Sequence, residues 1–100
     1  MSKNVYVEKI IGSKAADDDL KGNKVFEVIK ENSQNCDEDI IIDFNNIELV
    51  NTAFLNNAIG KLFDKQKYNI SKNKIKIVNL QETMVELLKE SISVANQKYS

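Results

Sequence analysis

Apolar and polar residues alternate along this chain in short segments, and most of these segments precede a stretch with helical spacing. The first segment, VYVEKII, alternates around Val5 and Val7 and predicts a strand that extends toward Ile10–Ile11. Asp17–Asp19 then precede an apolar stripe of helical spacing, so we expect these carboxylates to begin a helix. The stripe consists of Leu20, Val25, Phe26, Val28 and Ile29.

A continuous β-branched run, Ile40–Ile42, predicts a strand that is buried on both faces, as is typical of a central parallel strand. Asn45 and Asn46 follow it and favour a turn, after which Ile47, Leu49 and Val50 are expected to return to the core. A second helix is predicted to begin at Thr52, with Asn51 or Thr52 as its N-cap. The apolar positions of this helix are Leu55, Ile59, Leu62 and Phe63.

The segment KIKIVNL predicts a third strand, and Gln81–Thr83 open a last helix with an apolar stripe. The predicted order is β-α-β-α-β-α within a single domain of residues 1–100. Alternating strands and helices indicate the α/β class, with a small, mainly parallel β-sheet and three helices. Functional sites in such folds gather at the carboxyl ends of the strands.

Charge and hydropathy exclude two classes of partner. The formal net charge is -1, whereas nucleic-acid binders carry a basic excess, so we expect no nucleic-acid partner. A lysine-rich stretch from Lys61 to Lys76 is interpreted as a solvated face. No apolar run approaches the ~20 residues of a membrane span, and the polar start lacks a signal-peptide core. We therefore expect a cytoplasmic protein with no membrane partner.

The residue types present do not favour catalysis. The chain contains 0 His and 1 Cys, so Ser-His and Cys-His nucleophilic systems and most zinc sites are excluded. Cys36 lies among acidic residues, which disfavour the thiolate. The glycines show neither phosphate-loop nor dinucleotide-binding spacing. Asp17–Asp19 could hold a hard cation, but helix capping explains them better. The sequence thus predicts no enzyme, metal or cofactor.

Two polar residues beside the central strand are candidates for function. Asp43 can act as a catalytic acid or as a structural carboxylate, and the structural interpretation is favoured. In that role its carboxylate accepts hydrogen bonds from backbone N–H groups of the turn at Asn45 or of the helix start near Thr52. Thr52 can serve as a helix cap, or it can carry a phosphate that the helix N-terminus stabilises.

These residues also carry a family resemblance. The run Asp43–Leu55, DFNNIELVNTAFL, resembles the core signature of the STAS-like family of unknown function, and the likeness continues through Gly60–Leu62. Through that family the chain is similar to STAS-domain anti-sigma-factor antagonists, whose Asp-Ser/Thr-Ser/Thr-Gly motif is phosphorylated by a partner serine kinase. The matching positions, in order, are Asn51, Thr52, Ala53 and Phe54.

The resemblance implies a regulatory protein-interaction module in which a partner kinase phosphorylates Thr52. That partner would be a histidine-kinase-like ATPase or another regulator. An alternative is a domain that binds a small ligand or nucleotide at the same strand ends. An exposed edge strand also makes a homo-oligomer possible. The predicted partner-binding surface comprises Asn45, Asn46, Asn51, Thr52, Asn56 and Asn57.

Overall fold

The computed structural model describes residues 2–34, 39–64 and 75–98. Cys36 and most of the lysine-rich stretch lie outside these ranges. The described elements, in chain order, are β1 (Ser2–Tyr6), α1 (Val7–Ile11), β2 (Ala15–Ala16), α2 (Asp19–Gln34), β3 (Asp39–Asp43), β4 (Leu49–Val50), α3 (Thr52–Ala58), a 3-10 helix (Gly60–Phe63), β5 (Ile75–Val78) and α4 (Glu82–Lys98).

The main sheet has three parallel strands in the order β1-β3-β5, with β3 at the centre. In its middle row, Ile42 lies opposite Val5 on one side and Ile77 on the other. Ile40 and Ile42 are buried in the core, whereas Ile41 between them is only partly buried. The prediction of a central parallel strand is confirmed. The prediction of burial on both faces is wrong, because the pleat turns Ile41 to the opposite, less covered face.

The prediction that the first strand extends toward Ile10–Ile11 is also wrong. The chain forms the one-turn helix α1 there, since Val7 and Ile11 are four residues apart and a helix buries both on one face. Gly12 ends this helix with φ +66°, and its N–H donates to the Glu8 carbonyl at 2.9 Å. A left-handed residue at this position favours glycine.

A second, two-stranded sheet was not predicted. β2 and β4 pair in parallel, with Ala15 opposite Leu49 and Ala16 opposite Val50. Strands of two residues are too short to show a hydrophobic periodicity.

The described part of the chain has four α-helices rather than three, because α1 adds one to the predicted set. The α/β class and the parallel sheet are confirmed.

Close packing between α2 and α3 fixes the position of the α3 N-terminus. A Cβ atom on Gly22 would lie 2.7 Å from the Phe54 carbonyl oxygen, so only a residue without a side chain permits this approach. Phe54 itself is fully buried, and its ring meets Phe44 edge-on with centroids 6.3 Å apart.

Among the described helices, none combines the length and apolar character that a membrane crossing requires.

Candidate functional site

Asp43 connects the carboxyl ends of two neighbouring strands. Its Oδ1 accepts a hydrogen bond from the Asn45 backbone N–H at 2.9 Å and another from Asn79 Nδ2 at 2.9 Å. The first bond closes the turn after β3, and the second holds the residue that follows β5. The structural interpretation of Asp43 is supported for the turn at Asn45. The alternative contact with the helix start near Thr52 is not the one that forms.

Two asparagines in left-handed backbone conformations shape the loops at this edge. Asn46 has φ 67° and Asn79 has φ 60°, a region that Asn tolerates better than most residues. Asn46 Nδ2 also lies 3.4 Å from Glu8 Oε1. These loops border an open cleft of about 500 Å³, to which Lys14 and Gln81 contribute.

Asn51 organises the start of α3. Its Oδ1 accepts from the Phe54 N–H at 2.9 Å, so Asn51, and not Thr52, is the N-cap. Its Nδ2 donates to the Asp17 carbonyl at 2.7 Å, and its backbone N–H donates to the Ala16 carbonyl at 3.2 Å. One side chain thus connects the α3 N-terminus to the loop that precedes α2.

Thr52 is the first residue of α3 and is half-buried. Its hydroxyl donates to no described residue, and the capping position before it is occupied by Asn51. The hydroxyl is therefore not committed to a structural hydrogen bond within the described ranges.

Asn56 and Asn57 hold the helices together. Asn56 Oδ1 accepts from the Ser91 hydroxyl of α4, and Ser91 is buried. Asn57 Nδ2 makes a long contact of 3.5 Å with the Asp19 carbonyl at the start of α2. The predicted partner-binding residues therefore fall into three places: the turn after β3, the N-terminus of α3, and the interfaces that α3 makes with α2 and α4.

Two exposed leucines lie on the segments that Asn51 connects. Leu49, in β4, is 52% exposed, and Leu20, in the first turn of α2, is 75% exposed. The sequence pattern assigned both to the core, and for these residues that prediction is wrong. Helical spacing does not reveal that Leu20 lies in a first turn that projects beyond the core. Leu49 belongs to a strand too short to predict.

An ion pair fixes the acidic loop beside Asn51. Lys21 Nζ lies 2.9 Å from Asp17 Oδ1 and also donates to the Ala15 carbonyl at 3.0 Å. The hydrogen bond from Lys21 lowers the pKa of Asp17, and the same bond raises the pKa of Lys21. Asp18 Oδ1 accepts from the Lys21 backbone N–H at 2.8 Å, which confirms the predicted capping of α2.

Comparison with known proteins identifies a family for this chain. A family model described as the STAS-like domain of unknown function (DUF4325) matches residues 21–84. The matched region contains the β3 turn and all of α3, whereas the acidic loop before α2 precedes it. No curated protein and no solved structure gives a significant match. From the family match, the chain belongs to the family of STAS-like domains of unknown function.

Proposed function

We propose that this protein is a regulatory protein-interaction module. Its contact surface, here called the Asn51 surface, consists of Asp17, Leu20, Leu49, Asn51 and Thr52. The observation that carries the proposal is the 2.7 Å hydrogen bond from Asn51 Nδ2 to the Asp17 carbonyl. This bond brings together two segments that are separated in sequence, and each segment presents an exposed leucine.

The composition of the Asn51 surface supports a protein partner. Leu20 and Leu49 supply exposed apolar area, and Asp17 and Thr52 supply polar groups beside it. Protein interfaces commonly combine buried apolar anchors with a polar rim. Bonds to the backbone of the neighbouring segment hold the surface in place, so little ordering is needed when a partner binds.

Phosphorylation of Thr52 is the finer part of the proposal. The partner would be a histidine-kinase-like ATPase that acts as a serine/threonine kinase, or another regulator. A phosphoryl group adds a charge of about -1.5 to -2 at neutral pH. Asn51 connects Thr52 to the loop that contains Asp17–Asp19, so the added charge would make an already acidic surface more acidic. A partner that presents acidic or apolar groups to the Asn51 surface would bind more weakly as a result.

Thr52→Glu tests this switch. Once a partner has been captured from the native cell, we expect Thr52→Glu to raise its Kd about tenfold, the scale of one unfavourable charge at an interface rim. Thr52→Ala should bind like the natural protein, because the Thr52 hydroxyl makes no structural hydrogen bond within the described ranges. Isothermal titration calorimetry with the purified partner measures both values.

Thr83→Glu is the matched control. Thr83 is exposed in the first turn of α4, so it places the same charge near a different helix start. Its Kd should equal that of the natural protein. If both Thr52 variants and the Thr83 variant bind the partner equally, the phosphorylation switch is wrong. Mass spectrometry of the captured bait would show directly whether Thr52 carries phosphate.

A second candidate function is binding of a small polar ligand or nucleotide. The open cleft beside Asp43 favours it, since its volume of about 500 Å³ lies in the range of ligand sites. The cleft lies at the carboxyl edge of the parallel sheet, and Asn46, Asn79 and Lys14 border it. These side chains supply amide groups and one cation for a polar ligand, and Glu48 adds one carboxylate to the same lining.

Thermal unfolding with a panel of nucleotides tests the second function. A ligand at 100 times its Kd stabilises the folded state by about 2.7 kcal/mol, which raises the Tm of a domain of this size by roughly 10–20 °C. Lys14→Ala should reduce the shift caused by an anionic ligand, and Lys89→Ala on α4 should not. The absence of a shift with every nucleotide would exclude this function for the compounds screened.

A further inference from the structure

The described helices pack on one face of the main sheet. In the parallel order β1-β3-β5, right-handed crossovers bring the chain back along the same side of the sheet each time. The packing agrees with this topology, because side chains from α1, α2, α3 and α4 form one core cluster with Val5, Ile40 and Ile42 of the strands. The strand residues that alternate with these three point to the opposite face.

The opposite face, here called the open sheet face, is largely exposed to solvent. Its two rows, read across β1, β3 and β5, are Asn4–Ile41–Lys76 and Tyr6–Asp43–Val78. Tyr6 is 42% exposed and Val78 is 36% exposed. Ile41, at the centre, is only partly buried and does not belong to the core cluster. Since parallel sheets are normally covered on both faces, an apolar face left open in this way is suited to binding another element.

The dimensions of the open sheet face favour a single helix over a second copy of the chain. Three strands with up to five residues each give a face roughly 15 Å wide and about 17 Å long, or about 250 Å². A stable dimer buries about 800 Å² on each partner. An α-helix with its side chains is about 10 Å wide, and about 11 residues of it span the same length. One helix of about three turns therefore matches the face.

The charges of the open sheet face favour a basic helix. Asp43 Oδ1 accepts from the Asn45 N–H and from Asn79 Nδ2, and both donors are neutral. Among the described residues, none forms an ion pair with Asp43. The other carboxylate of this face, Asp39, is already paired with Lys76 at 3.1 Å. A lysine or arginine of a bound helix would therefore meet one carboxylate that lacks a cation.

We propose that the open sheet face binds a basic amphipathic helix of a partner protein. The apolar stripe of this helix packs on Ile41, Tyr6 and Val78, and one of its lysines or arginines pairs with Asp43. Helices that bind in this way present apolar residues at positions i, i+3, i+4 and i+7. The ion pair at one end of the stripe fixes the direction of the helix. The open sheet face shares no residue with the Asn51 surface, so this proposal does not depend on the proposed function.

Selection from a display library of helical peptides of about 14 residues, four turns of helix, tests the proposal on the full chain. We expect the recovered peptides to combine an apolar stripe with lysine or arginine. Val78→Lys should weaken their binding at least tenfold, because it places a cation where the apolar stripe packs. Val94→Lys is the matched control, since Val94 is 50% exposed but lies on α4, and it should bind like the natural protein. Fluorescence anisotropy of labelled peptides measures each Kd.

Asp43→Asn tests the charge of the site separately. Asparagine keeps an oxygen that can accept the two hydrogen bonds of Asp43, but it removes the negative charge. We expect it to weaken peptide binding about tenfold at low salt, the scale of one charge-assisted hydrogen bond. The difference from the natural protein should shrink as the salt concentration rises.

Three results would overturn the proposal. The first is that the library yields no basic amphipathic helix. The second is that the recovered peptides bind Val78→Lys and Tyr6→Lys, in variants whose Tm values show that they are folded, as tightly as the natural protein. The third is a dimer of the natural chain, seen by light scattering, that Val78→Lys converts to a monomer, because a second copy would then occupy this face.

Discussion

Phe54→Gly is expected to lower the free energy of unfolding by about 4–6 kcal/mol. Removing a buried phenyl ring from a core costs about 3–5 kcal/mol, and glycine inside a helix costs about 1 kcal/mol more. Phe54 is 0% exposed, and its ring packs edge-on against Phe44. The loss is comparable with the total stability of many domains of this size, so most of the protein should be unfolded near 37 °C.

Urea denaturation followed by circular dichroism measures this loss. Ala53→Gly is the matched control, because it places glycine in the same helix at a half-buried position and should cost only about 1 kcal/mol. Equal losses in the two variants would contradict the account of Phe54 as a core residue. The STAS motif has glycine where this chain has Phe54. The Phe54→Gly variant therefore also tests whether this departure from the motif contributes to the stability of the fold.

Gly22→Val is expected to lower the free energy of unfolding by about 3 kcal/mol. A Cβ at residue 22 would lie 2.7 Å from the Phe54 carbonyl oxygen and 2.9 Å from the Asn57 Cβ. Overpacking of a close contact costs about 1–3 kcal/mol, and a β-branched side chain is at the upper end because it brings further atoms into the contact. To fit valine, α2 and α3 would have to move apart.

Gly60→Ala is the control for Gly22→Val. The nearest atom to a Cβ at residue 60 is 3.8 Å away, an ordinary van der Waals distance, so alanine fits there without a shift. We expect its stability to lie within about 1 kcal/mol of the natural protein. Urea denaturation again measures both. If Gly22→Val proves as stable as Gly60→Ala, the close approach of α2 and α3 is wrong.

The main sheet and the principal helices could be predicted because their hydrophobic patterns are distinct. Ile40–Ile42 form a β-branched run of the kind that a central parallel strand requires, and the structure places β3 at the centre. The three predicted helices correspond to α2, to α3 with the following 3-10 helix, and to α4. Hydrophobic periodicity is a strong signal for such elements.

The short elements could not be predicted, because tertiary contacts determine them. Val7 and Ile11 satisfy both an alternating and a helical pattern over so few residues, and burial in the fold selects the helix. The strands β2 and β4 each have two residues and form only because the loops after α1 and β3 lie side by side. Local propensity decides little at this length.

The contacts around Asn51 could be predicted only in part. Sequence reasoning identified Asn51 and Thr52 and gave either residue as the cap, and the structure assigns the cap to Asn51. It could not show that Asn51 also bonds to the Asp17 carbonyl, a contact between residues 34 positions apart. Leu49 and Leu20 were missed because apolar residues are assigned to a core by default.

Amide hydrogen exchange of the protein, with and without its captured partner, tests the central claim most directly. The Asn51 surface predicts that binding slows exchange in two segments, residues 15–22 and 46–55, while the outer face of α4 exchanges as before. We expect the partner to protect these two segments from exchange, and we expect less protection in the Thr52→Glu protein. Protection confined to α4, with both segments unchanged, would contradict the claim that the partner binds at the Asn51 surface.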